Sequence, residues 1–346
     1  MEELPQPTTN IKWIAFVVVL LVLVAVFSMA YLIPSKDDDD KDTITLYGFS
    51  VKGEVCNDEI FPAFREYWKT ETGKNMDFKS HYAGSGTITK QVLTGVPAEV
   101  MILSTEWDAL QLKENGFVDT DWNGYPYNGT VSKSPWVILV RDGNPKNITD
   151  FPDLGRGGVE IVHADPLTSG GACWSIFAVY GSALKRSELN EGIKDHEYAG
   201  SYLKEILDNV ICWQSSARKA LTYFIGGFGD AIITYENEAL FALEQGEAVE
   251  IVYPQSTIFS EHKAVIVDEN INFDEKELIE EFVNFLFTDE VQESFVEHGF
   301  RSVNDDINNL HPEFPVISAP FTVSYLGGWV KAHEELIEGV YKDIRD

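Results

Sequence analysis

Cysteine is scarce. Cys56, Cys173 and Cys212 are the only three in 346 residues, too few for a disulfide scaffold. A Cys173–Cys212 bridge is the one pairing considered, in an oxidising compartment. The seven histidines show no His-x-x-His spacing and no Cys-x-x-Cys partner, so no metal site is expected. Gly-x-Ser-x-Gly is absent as well, which argues against a serine nucleophile and against an enzyme. Basic residues are outnumbered, 26 Lys and Arg against 56 Asp and Glu, for a net charge of −30. Such a field repels nucleic acid and anionic membrane surfaces. Any anionic ligand must therefore be drawn in by local dipoles. No solenoid repeat stands out, and no cofactor motif. The 44% hydrophobic content is ordinary, and the length suffices for one large domain or two lobes.

One long apolar run is present, Trp13 to Ile33, and it has the length that spans a bilayer as a helix. Ser28-Met29-Ala30 resembles a signal-peptide cleavage site, but the run continues through Tyr31, Leu32 and Ile33. The reading is a short segment 1–12, an uncleaved transmembrane anchor at 13–33 and an acidic linker at 34–42. Lys12 lies on the short side and Asp37–Asp40 follows the span, so the remainder is exported. Sequons at Asn128 and Asn147 permit glycosylation there.

Beyond the linker, strand and helix patterns alternate. Thr43–Phe49 reads as a strand, and Asn57 as the cap of a helix to about Thr72. A strand near Met76–Tyr82 leads through Gly84-Ser85-Gly86 into a helix. Ala98–Leu103, Pro135–Val140, Val159–His163, Val210–Trp213, Ala231–Thr234, Val249–Tyr253 and Lys263–Val267 read as further strands. Helices are expected over Glu106–Asn115, Ala172–Leu184, His196–Leu207, Glu275–Phe287, Asp289–His298 and Trp329–Tyr341. This β-α alternation predicts an α/β fold with a mostly parallel sheet covered by helices.

Three strand-to-helix junctions share one chemistry: Gly84-Ser85-Gly86, Ser169-Gly170-Gly171 and Ser215-Ser216-Ala217. Each sets a serine and small neighbours where orphan N–H groups and the positive end of a helix dipole point outward. The plain alternative is that each serine merely caps its own helix. Three of one kind suggest a shared anion. Only Arg218 adjoins a junction, and it either balances nearby acids or makes a surface ion pair. Neutral donors suit a small, fully ionised oxyanion held at every oxygen. The motifs contain no Asp or Glu, so a hydrogen phosphate would leave its P–OH unpaired, at about 1–3 kcal/mol or more. Sulfate is favoured over phosphate; molybdate and tungstate, also unprotonated, stay open.

The chain resembles the sulfate-binding proteins of ABC importers, of the two-lobed type II periplasmic-binding fold. The resemblance runs from about Thr43 to Tyr341 on an ordered set of motifs. They are Trp68-Lys69-Thr70-Glu71-Thr72-Gly73, Gly84-Ser85-Gly86, Gly143-Asn144-Pro145-Lys146 and Asp165-Pro166-Leu167-Thr168-Ser169-Gly170-Gly171-Ala172. Gly229-Asp230, Glu236-Asn237-Glu238-Ala239-Leu240 and Gly327-Gly328-Trp329 complete it. It implies ligand donors at the backbone of Val51, Ser85, Gly170, Gly171 and Ala217, with the Ser169 hydroxyl. Tyr235 stands where the family has a Trp whose indole N–H binds the anion; a phenol also donates. Val51 replaces an Asp of which only the backbone N–H is expected to bind, and Cys173 replaces an Arg.

The resemblance further implies lobes of 43–133 with 253–346 and of 134–252, joined by a hinge of two crossovers. The implied partners are sulfate or a related oxyanion (thiosulfate, molybdate, tungstate) and the permease and ATPase of an importer. A monomer held at the cell membrane by the N-terminal helix is expected. Two readings stand against it: a receptor ectodomain using the same cleft, and a membrane-anchored enzyme acting on a sulfate or phosphate ester. Ser85 and Ser169 should face one cleft.

Overall fold

The computed structural model describes residues 42–345, residue 313 excepted; the expected anchor at 13–33 and segments 1–12 and 34–41 lie outside the described residues. The strands, in chain order, are β1 (Asp42–Phe49), β2 (Met76–Ala83), β3 (Val100–Leu103), β4 (Thr130–Arg141) and β5 (Ile161–Ala164). They continue with β6 (Val210–Gln214), β7 (Ala231–Tyr235), β8 (Val249–Val252) and β9 (Phe259–Ile266). The longer helices are α1 (Phe61–Thr72), α2 (Ser85–Leu93), α3 (Glu106–Glu114), α4 (Gly170–Glu191) and α5 (His196–Leu207). After them come α6 (Ala217–Ile225), α7 (Glu236–Glu244), α8 (Lys276–Phe285) and α9 (Asp289–Glu297).

The strands follow one path, β2-β1-β3-β9-β4-β7-β5-β6, with β8 also on β4. β1–β3, β5–β6 and β5–β7 pair in parallel, as strands joined by crossover helices must. The pairings of β4 and β9 are antiparallel, so the sheet is mixed rather than mostly parallel. The reason lies in the path of β4. Its first half, to Pro135, pairs with β9, and from Trp136 onward it pairs with β7 and β8. One long strand thus leaves one sheet region and enters another. It begins at Thr130, five residues ahead of the strand expected from Pro135. Lys133 and Ser134 find partners in β9 that local sequence does not reveal.

Two helices differ from expectation. The helical run ahead of α1 starts at Ser50, so Asn57 lies inside it and is no cap. Helix α4 runs on to Glu191 and ends at Gly192, in the left-handed conformation that glycine adopts without strain. Residues Gly170 to Leu184 of α4 are all buried, so this stretch is enclosed on every side. The cysteine bridge is a correction. Cys56, Cys173 and Cys212 are all free, and the Cys173 Sγ donates to the Pro166 carbonyl at 3.6 Å.

Candidate functional site

Six strands deliver their carboxyl ends to one place, the location where open α/β sheets bind ligands. After β2 comes Gly84 and α2, after β5 the turn to Ser169 and α4, and after β6 Ser215-Ser216 and α6. β1 runs into the helical turn Ser50–Lys52, β3 into Ser104-Thr105 and α3, and β7 straight into α7 through Tyr235.

The three junctions touch. A Cβ placed on Gly84 would lie 2.3 Å from the Thr168 carbonyl oxygen and 2.6 Å from that of Ser215. Across the same contact the Thr87 N–H donates to the Thr168 carbonyl at 3.2 Å, and the Lys90 Nζ donates to that of Leu167 at 2.8 Å. The Gly84-Ser85 and Thr168-Ser169 junctions are therefore neighbours, and Val51, Ser85, Ser169, Gly170, Gly171, Ala217 and Tyr235 are all buried.

Plain capping accounts for one junction of three. Ser216 caps α6, its Oγ accepting from the Lys219 N–H. Ser169 holds the cap position of α4, yet its side chain accepts no helix N–H, and α2 likewise has no side-chain cap. The Ser169 hydroxyl bonds no other protein group among the described residues. Nor, among them, do the backbone N–H groups of Val51, Ser85, Gly170, Gly171 and Ala217 find a protein acceptor. All five are the first or second residues of helical segments, where the helix itself supplies no acceptor.

Ser104 ties the walls together and was not legible in the sequence. Its N–H donates to the Ser85 Oγ at 3.1 Å, its Oγ lies 2.7 Å from the Tyr235 hydroxyl, and its carbonyl accepts from the Trp174 Nε1 at 2.7 Å. Cβ atoms on Gly170 and Gly171 would meet the Ser104 Oγ at 2.9 Å and the Tyr235 hydroxyl at 3.0 Å. Those glycines let the start of α4 approach both side chains. Tyr235 itself is fully buried against Trp136, His262 and Phe49, at ring distances of 4.4, 5.7 and 5.9 Å. Burial pushes its phenol far above the ordinary range, so it stays a neutral donor.

A second unforeseen residue is Asp108. Its Oδ2 accepts from the Ser85 hydroxyl at 2.6 Å and from the Thr105 hydroxyl at 2.7 Å. The Ser85 hydroxyl is thereby committed to Asp108. Burial raises the Asp108 carboxyl despite these two bonds. Arg218 is part of a half-buried ion network rather than a surface pair. It donates to Glu238 at 2.7–3.1 Å and to Glu54, which stands in the same helical run as Val51.

Residues 56–301 match the family model of the bacterial extracellular solute-binding proteins. A sulfate-binding protein of Synechococcus elongatus is 34% identical over 296 residues, covering 84% of this chain and 83% of that protein. A thiosulfate-binding protein of Pseudomonas aeruginosa is 31% identical, covering 78% of this chain and 82% of its own length. Among solved structures, the sulfate-binding protein SubI of Mycobacterium tuberculosis superposes with a TM-score of 0.77. It is 30% identical, and the match covers 85% of this chain and 99% of that one.

Proposed function

The chain belongs to the bacterial extracellular solute-binding proteins, and we propose that it captures sulfate as the extracytoplasmic component of an ABC importer. The observation that carries this reading is the set of five unpartnered N–H groups at helix starts, together with a Ser169 hydroxyl that does not cap its own helix. Backbone N–H of Val51, Ser85, Gly170, Gly171 and Ala217, with the hydroxyls of Ser169 and Tyr235, surround one tetrahedral dianion. Charge-assisted bonds to every oxygen offset its dehydration, the dipoles of α2, α4 and α6 supply positive potential, and no basic side chain is among the donors.

Phosphate is disfavoured by the same set. Asp108, the carboxylate hydrogen-bonded to the Ser85 junction, is engaged by the Ser85 and Thr105 hydroxyls, both donating to its Oδ2. A P–OH would face a donor instead. The two lobes, 43–133 with 253–346 and 134–252, close on the anion by bending where β4 and β9 run side by side, as hinged binding proteins do. Residues 13–33 hold the protein at the membrane, beside the permease and ATPase that take the anion onward. The reading is of binding without turnover.

Calorimetry of the exported part with sulfate, thiosulfate, molybdate, tungstate and phosphate tests it. Heat with sulfate or thiosulfate and none with phosphate is expected. A folded sample silent to all five anions sinks the proposal, and a stronger signal with molybdate moves it to that ion. Ser169→Ala should weaken sulfate binding by about 1–3 kcal/mol, the worth of a buried donor to a charged oxygen. An unchanged affinity removes Ser169 from the site.

A further inference from the structure

Directly after Val51 stands a buried lysine for which the site described above has no use. Lys52 is fully buried, and among the described residues no carboxylate pairs with it. Its Nζ lies 3.4 Å from the ring centre of Phe300, 4.2 Å from that of Phe295 and 5.6 Å from that of Phe49. It makes one hydrogen bond to the protein, to the Ser132 Oγ.

That bond opens a directional chain. The Ser132 Oγ lies 2.8 Å from the His262 Nδ1, the His262 Nε2 lies 3.1 Å from the Ser260 Oγ, and the Ser260 Oγ donates to the Ser134 carbonyl at 2.7 Å. With Nζ donating at one end, as an ammonium must, and the carbonyl accepting at the other, one pattern fits: Ser132 donates to Nδ1, and a neutral His262 donates from Nε2. Ser132 and Ser134 lie on β4, Ser260 and His262 on β9. The turn that carries the Val51 N–H is thus tied to the two strands that run between the sheet regions.

We propose that Lys52 is the buried counter-charge of the anion site, taking up one proton when a dianion binds beside Val51. This rests on the proposed oxyanion function. The physical case is a balance of two effects. Burial works against the ammonium and holds its pKa well below the usual lysine range, and it likewise lowers His262. Three aromatic faces and one acceptor are what an ammonium requires, but they do not replace its hydration. A double negative charge entering the same low-dielectric interior tips the balance toward the cation.

The groups that face Lys52 are few. Cys56 lies on its own helical run, raised by burial to about 12 and hence a neutral thiol. His262 faces it from β9 and stays neutral beside the cation. The α9 side and its C-terminal turn present the rings of Phe295 and Phe300. Glu54, two residues on, is engaged with Arg218. The balance is simple: the free amine, a sulfate dianion and a proton from solvent give an ammonium beside a bound sulfate.

The test is sulfate calorimetry in two sulfonate-free buffers of different ionisation enthalpy, Tris and imidazole, repeated from pH 6 to pH 9. In the wild type, about one proton should be taken up where the amine is free before binding, with affinity falling about tenfold per pH unit there. Lys52→Met, which replaces a buried charge by an apolar chain of similar length, should bind more weakly, with no uptake assignable to this position. Absence of uptake in the wild type overturns the inference whether or not the variant folds. Equal uptake in Lys52→Met overturns it too and transfers the proton to Asp108. Failure of the wild type to bind any oxyanion would instead defeat the functional reading.

Discussion

Gly84→Val should abolish tight anion binding, with a loss of at least about 100-fold, while the anion-free protein keeps its unfolding midpoint. The backbone at Gly84 has φ −58° and ψ 137°, a conformation open to any residue. Glycine is therefore required there for closeness alone. A Cβ would stand 2.3 Å from one carbonyl oxygen and 2.6 Å from another, both on backbone that cannot swing aside as a side chain can. The contact joins the α2 junction to the other two, so the clash holds the cleft open rather than unfolding either wall. Gly86→Ala is the control. Its Cβ would meet the Thr168 backbone at 3.6 Å, an ordinary contact, inside a helix that favours alanine. Equal affinities in the two variants, measured by calorimetry with sulfate beside thermal unfolding, would refute the closure argument.

Arg218→Met should cost about 3–5 kcal/mol of stability, because it strands a buried carboxylate. The Glu238 side chain is wholly buried, and its charge is answered by three hydrogen bonds from the guanidinium. The two partners respond in opposite senses. Burial outweighs the pairing and raises the Glu238 carboxyl, whereas pairing with both acids outweighs burial and raises the guanidinium. The pair therefore holds the arginine charged without restoring all the hydration that Glu238 gives up. Without Arg218 the Glu238 carboxyl rises further. A group raised in the folded state contributes stability below its unfolded pKa and loses it as pH rises. The deficit of Arg218→Met, followed by urea unfolding, should accordingly be smaller at pH 5 than at pH 7.5. Adding Glu238→Gln should recover much of it at the higher pH. A deficit independent of pH and of Glu238 would place the cost in lost packing over Phe241, whose ring centre lies 4.4 Å from the guanidinium carbon.

The sequence by itself determined what is local: β-α alternation, Ser-Gly junctions at helix starts, and a net charge of −30 that excludes the commonest polyanionic partners. Those features need only neighbouring residues, since a helix leaves its first N–H groups unpaired wherever it begins. Tertiary structure decided which junction serines cap their own helix and which do not. Ser216 looks like Ser169 in sequence, yet one hydroxyl closes on its own helix and the other is free. It also supplied Ser104 and Asp108, neither of which lies in a motif. Asp108 meets Ser85 from 23 residues away, and Ser104 meets Tyr235 from 131. Lys52 reaches Ser132 across 80 residues, and Glu54 reaches Arg218 across 164. Pairings of that separation depend on how β4 passes from one sheet region to the other. Periodicity carries no trace of them, because it reports which face of an element is buried and not what waits on the far side.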